Sequence, residues 1–276
     1  MKFEFYSFWS GFDKKLFEEY FEKLFEGLDY DIVQIWTIFG SEPYILNTNP
    51  RILSVQWSGE ACFKNTEKFN INLISSLPTK NIIPCLLAHC ATYVHNKSDA
   101  LTQKRILKPT RNKFCNFIVS NGCPVERKNV FLELSKHKFV DSCGTFLKNW
   151  TGPPAPPFGT SEYHEFLGSW KFMICFENCK QQYYMTEKLT NAYLGGCIPI
   201  YWGCPQVKEI LNEKAILLLE DNTPEAINAL IEKILELENN ESLYEQMYNE
   251  PLFKNNVVPK EFDIVYLNNE IKNKLI

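Results

Sequence analysis

The chain has 276 residues, enough for two compact α/β domains of roughly 100 to 150 residues each. Hydrophobic residues make up 45% and aromatics 14%, which excludes extensive disorder, and a net charge of -4 without a basic run excludes nucleic acid as a partner. No stretch reaches the roughly 18 to 20 apolar residues that span a bilayer, so no transmembrane segment is expected, while peripheral membrane contact stays open.

Residues 2–9 (KFEFYSFW) have the length and aromatic content of a strand, and Gly11 with Asp13 then supplies a turn and a helix start. Leu16, Phe17, Tyr20, Phe21, Leu24, Phe25 and Leu28 recur every three or four residues, which predicts an amphipathic helix ending near Gly27. Residues 31–39 (DIVQIWTIF) and 51–57 (RILSVQW) read as strands, the latter running into the small turn Ser58, Gly59. Strand, helix and strand within 40 residues form a βαβ unit and imply a parallel sheet. Between residues 65 and 108 the patterns predict no element. The polar, proline-interrupted LKPTRNK (107–113) is the candidate linker.

The alternation then restarts. Residues 114–119 read as a strand, 125–135 as a helix, 151–161 (TGPPAPPFGTS) as a proline-rich loop and 171–176 as a strand. A helix over 186–194 closes at Gly195 and Gly196, strands follow at 198–202 and 215–219, and Thr223 with Pro224 caps a helix to about residue 238. The pattern predicts an α/β fold of two Rossmann-like domains, 1–108 and 109–276, whose parallel sheets face across a cleft, with the last helix free to pack back on the first domain.

Ten cysteines include no CxxC pair, and the N-terminus MKFEFYSFWSGFDKK lacks a basic segment followed by an apolar one, so the thiols read as reduced, buried small hydrophobes. Cys175, Cys179 and the histidines His89, His95, His137 and His164 match no metal-knuckle spacing, and no metal site is expected. Asp29 and Asp31 spell Asp-x-Asp, but they precede a strand and so read as a turn.

Chemistry concentrates in KFMICFENCKQQYYMTEKLTNAYLGGCIPIYWGCP, residues 171–205. A buried strand runs into a polar loop, and a helix opens at Thr186 with Glu187 and Lys188 in its first turn. Free N–H groups and the positive end of the dipole attract an anion there. Lys188 adds a full charge, and two readings stand on spacing alone: an anion cradle, or a threonine cap beside a solvated lysine. Tyr183 and Tyr184 offer phenol donors, and Asn178 can fix the loop or read a hydroxyl. Arg127 and Lys128 begin a second helix just beyond the strand end at Ser120 and Asn121, where parallel sheets hold ligands. Two cationic helix starts beyond the same strand ends point to one diphosphate site.

These 35 residues resemble the donor-binding motif of glycosyltransferase family 10, the α1,3/4-fucosyltransferases, above all the soluble bacterial type. FCNFIVSN (114–121), GPPAPP (152–157) and SLYEQMYNEPL (242–252) extend the similarity over most of the second half. The resemblance implies the GT-B architecture. With no signal peptide or anchor read in the sequence, a cytoplasmic protein of bacterial or viral type, or a trimmed one, is expected. The resemblance implies no tightly bound cofactor, with GDP-fucose as donor substrate, a glycan as acceptor, and divalent-metal stimulation left open. By it, Asn178, Tyr184, Glu187 and Lys188 line the GDP-fucose pocket, Lys188 and Tyr184 contacting the diphosphate and Glu187 the sugar or the charge that develops on it. The family's arginine, three residues before a phenylalanine, falls on Lys128 with Arg127 adjacent, so either can be the second cation.

In the first half VQWSGEA (55–61) is similar to the family's Ser-Gly-Glu segment and implies that Glu60 is the general base. Together these imply inverting transfer of L-fucose to a glycan hydroxyl, the 3-OH of GlcNAc in a lactosamine-like acceptor. The alternatives are another nucleotide-sugar donor, or a non-catalytic nucleotide-sugar or glycan binder.

Overall fold

The computed structural model describes residues 1–40, 44, 48–95, 99–105 and 111–276. In its first half β1 (Lys2–Tyr6), α1 (Lys14–Leu24), β2 (Ile32–Trp36), β3 (Ile52–Trp57), β4 (Ile71–Ile74), β5 (Ile82–Pro84) and α2 (Leu87–Val94) follow in order. The second half contains β6 (Lys113–Phe117), α3 (Val125–Ser135), β7 (Val140–Ser142), α4 (Ser161–Leu167), β8 (Trp170–Ile174), α5 (Glu187–Leu194), β9 (Ile198–Tyr201), α6 (Val207–Ile210) and β10 (Leu217–Leu218). The helices α7 (Pro224–Asn239), α8 (Glu241–Tyr248) and α9 (Ile264–Leu275) close the chain. Among the described residues no helix is long and apolar enough to cross a membrane.

The strands form two five-stranded sheets, ordered β1-β2-β3-β4-β5 and β10-β9-β8-β6-β7, and every pairing is parallel. In the second sheet β6 lies between β7 and β8, so the chain steps one way to β7 and then returns across β6. This reversal opens a crevice between the loops that leave β6 and β8, the place where open parallel sheets bind ligands.

Local chemistry explains the helices. The Asp13 carboxylate accepts from the Lys15 and Leu16 N–H groups at the start of α1, which buries Tyr20, Phe21 and Leu24. Thr223 caps α7 through the Ala226 N–H, with Pro224 in the first turn. The expectation of no element between 65 and 108 is corrected by β4, β5 and α2. These strands have four and three residues, too short for a readable period, and α2 starts at Leu86 without a side-chain cap. The strand expected over residues 2–9 stops at Tyr6, because Ser7 takes a left-handed φ of 58°. The strand expected over 215–219 shortens to Leu217–Leu218, since 213–215 form a 3₁₀ turn.

The expected boundary at 108/109, and the linker residues 107–110, lie outside the described residues. On either side of that segment Arg105 and Arg111 are pinned to the second half. Arg105 donates to the carbonyls of Cys197 and Tyr248 and lies 4.0 Å over the Tyr193 ring, and Arg111 donates to the hydroxyls of Tyr244 and Tyr248. The two halves also meet through α2 and the start of α5. Ala88 N–H on α2 donates to the Met185 carbonyl at 3.0 Å, and Leu86, Ala88 and Leu101 share an apolar cluster with Met185, Leu189 and Tyr193. The C-terminal α9 returns to the first half, where Asn268 donates to the carbonyls of Leu24 and Glu26 at the end of α1.

Candidate active site

The crevice beside β6 and β8 is a cleft of about 320 Å³. Its wall combines Ser120 and Asn121 beyond β6, Arg127 on α3, Asn178 beyond β8, and Glu187 and Lys188 in the first turn of α5, with Ile118, Tyr163 and Met173 on its apolar side. Six residues singled out in the sequence therefore come together from three separate segments. Lys128, one residue beyond Arg127, is exposed on α3 and lies outside this wall.

Arg127 is 1% exposed. Its guanidinium donates to the Asn121 Oδ1 and the Cys123 carbonyl through Nη1, and to the Phe176 carbonyl and Asn178 Oδ1 through Nη2. It thus ties the two strand-end loops together, and all these partners are neutral oxygens. Burial pushes its pKa down, and Glu177 is the charge that most opposes this.

The start of α5 rests on a carboxylate that the sequence reading passed over. Glu177, wholly buried, accepts from the Thr186 N–H and hydroxyl, both at 2.7 Å, and from the Tyr201 hydroxyl at 3.3 Å. Gly203 makes room for it, since a Cβ there would sit 2.4 Å from Glu177 Cγ. The one available signal was a carboxylate directly after the apolar strand FMICF, where a charge needs a partner. That partner is Lys188, whose Nζ lies 3.6 Å from Glu177 and 3.8 Å from Glu187, and donates to the Thr186 hydroxyl at 3.1 Å. Burial raises the Glu177 pKa, and Lys188 is the main force against that rise. Burial works against the Lys188 ammonium, but Glu187 and Glu177 outweigh it and hold its pKa above the ordinary lysine value.

Glu60 stands three residues beyond the end of β3. Gly59 lets the chain pass α2, because a Cβ there would approach Leu87 to 2.7 Å, and the Ser58 hydroxyl accepts the Glu60 N–H and donates to the Cys62 carbonyl. The Glu60 carboxylate accepts from the Tyr184 hydroxyl at 3.4 Å, which links it to the loop that carries Lys188, and its charge acts on Lys188. Tyr184 is buried, and its pKa rises through burial first and then through Glu177 and Glu60.

Asp29 and Asp31 both pair with Arg51, at 3.0 and 2.7 Å, before β2. Among the described residues no group of three His, Cys, Asp or Glu side chains is arranged to hold a metal.

Solved α1,3-fucosyltransferases share the fold. One superposes with a TM-score of 0.74 at 20% identity over 99% of this chain and 90% of that one, and one with GDP-fucose gives 0.69 at 19% over 98% and 89%. The architecture is GT-B. In sequence the chain is 31% identical over 168 residues to alpha-(1,3)-fucosyltransferase FucT of Helicobacter pylori, covering 60% of this chain and 33% of that protein. It is 36% identical over 136 residues to GDP-fucose protein O-fucosyltransferase 3 of Xenopus laevis, covering 46% and 28%. The chain spans about a third or less of the length of these curated relatives. Residues 108–254, more than half the chain, match the C-terminal model of glycosyltransferase family 10 (fucosyltransferase), and the chain belongs to that family.

Proposed function

We propose that the protein transfers L-fucose from GDP-fucose to an acceptor hydroxyl with inversion at the anomeric carbon, the second half (109–276) holding the donor and the first (1–108) the acceptor. The observation that carries this reading is the convergence of Arg127 on α3 and Lys188 on α5 on one cleft, with Glu60, hydrogen-bonded to Tyr184, close enough for its charge to act on Lys188. A diphosphate placed at the start of α5 meets both cations and the helix dipole, so charge building on the leaving GDP is met by groups already in position. Glu187, in the same helical turn, faces the donor sugar. Glu60 takes the proton of the acceptor hydroxyl as its oxygen bonds to the anomeric carbon and the bond from that carbon to the phosphate oxygen breaks. The leaving phosphate is stabilised as an anion, so this scheme requires no acid on its side.

The acceptor we favour is the 3-OH of GlcNAc in a lactosamine-like glycan. A protein hydroxyl is the second reading, because the Xenopus laevis relative is named a protein O-fucosyltransferase. Transfer from GDP-fucose to a glycan array and to Ser/Thr peptides tests both, with GDP-mannose and UDP-sugars as control donors. Fucosylated product dependent on Glu60 is expected. GDP release at the same rate without Glu60, or no binding of GDP, overturns the proposal.

A further inference from the structure

Glu177 fits its surroundings too closely to be an incidental carboxylate. Both oxygens are bonded to Thr186, one also to Tyr201, and the backbone opposite has no side chain, which leaves space for it. Capping the Thr186 N–H requires only an acceptor, which a neutral amide supplies equally well. The negative charge has one cationic side chain within salt-bridge distance among the described residues, Lys188 at 3.6 Å. A fully buried charge is tolerated only when paired, so Lys188 and Glu177 are matched while the cleft is empty.

We propose that Glu177 is a built-in counter-charge that acts through Lys188 and limits how tightly the cleft holds a nucleoside diphosphate, so that the spent nucleotide leaves. This rests on the reading of Lys188 as a holder of the diphosphate. An incoming diphosphate competes with Glu177 for the Lys188 ammonium, and it binds more weakly by as much as that buried ion pair holds the ammonium back. Thr186 lies between the two, its hydroxyl donating to Glu177 and accepting from Lys188. In Glu177→Gln the amide oxygen can keep the Thr186 N–H, the amide NH2 donates to the Thr186 hydroxyl instead of accepting from it, and that hydroxyl still accepts from Lys188.

Titration calorimetry with GDP on the full chain tests this with Glu177→Gln, Lys188→Met and the double variant, folding being checked by thermal melting. Lys188→Met is expected to weaken GDP binding and Glu177→Gln to tighten it about tenfold, with stronger product inhibition by GDP. In the Lys188→Met background the glutamine is expected to change nothing, because its effect passes through the lysine. Unchanged or weaker binding by Glu177→Gln, or an effect that persists without Lys188, overturns the inference and leaves the site reading standing. No effect of Lys188→Met overturns both. Should Glu177→Gln fail to fold, Glu177→Asp draws the carboxylate back from Lys188, and affinity for GDP no greater than that of the parent chain overturns the inference.

Discussion

The Tyr184 hydroxyl donates to the Glu60 carboxylate at 3.4 Å, joining the loop before α5 to the loop after β3 and so the two halves of the chain. A proton acceptor held by the loop that also presents Lys188 keeps a fixed relation to whatever Lys188 binds. Glu60→Gln is expected to lower transfer about 100- to 10,000-fold while GDP affinity stays within a factor of about two. Tyr184→Phe, which removes the hydroxyl that holds Glu60, is expected to cost about tenfold in kcat. Single-turnover transfer and GDP calorimetry on the same preparations measure both.

The two neighbouring cations on α3 have different surroundings. Arg127→Met leaves the Phe176 and Cys123 carbonyls unpaired and is expected to cost about 2 to 4 kcal/mol of stability and to weaken GDP binding as well. Lys128→Ala, on the exposed side, is expected to stay within about 0.5 kcal/mol of the parent. Urea denaturation alongside GDP titration separates them.

Lys188→Ala removes the ammonium from the cleft wall and is expected to weaken GDP binding about 10- to 100-fold, the range for a hydrogen bond to a charged group. Raising the salt concentration should lessen the difference between parent and variant, and calorimetry at two ionic strengths checks this.

His89 on α2 is 2% exposed, set among the rings of Tyr20, Tyr93 and Phe262, and burial pushes its pKa down to about 4 from an ordinary 6.5. Between these values the unfolded chain binds the proton that the folded chain refuses, so stability rises with pH across the interval and falls on acidification. The full effect is about 3 kcal/mol, and His89→Phe is expected to flatten that stretch of the profile in denaturation measured from pH 7 to pH 4.

Gly203 combines a φ of 151° with a close approach to Glu177. Gly203→Ala is expected to lose about 2 to 4 kcal/mol, read as a shifted denaturation midpoint.

Legibility in the sequence followed the strength of local signals. The start of α5 is legible because the Thr186 cap and the glycine pair that follows the helix agree there. Arg127 and Lys128 could not be told apart, since which of two adjacent side chains turns inward depends on where α3 packs. Glu177 stayed hidden for a related reason. Its importance comes from Thr186, Tyr201 and Gly203, which are brought to it only when β8, β9 and α5 assemble. In the first half β4 and β5 are short strands whose residues are mostly buried, so no alternation marks them.

Neither half closes all of its interior alone, because Leu86, Ala88 and Leu101 share an apolar layer with Met185, Leu189 and Tyr193, and Leu267 and Ile271 of α9 enter the core of the first half. Heating therefore meets one cooperative unit, and calorimetry should record a single melting transition for both sheets. A chain cleaved near Arg105 would bare that layer to water, and each fragment would aggregate unless it found its complement.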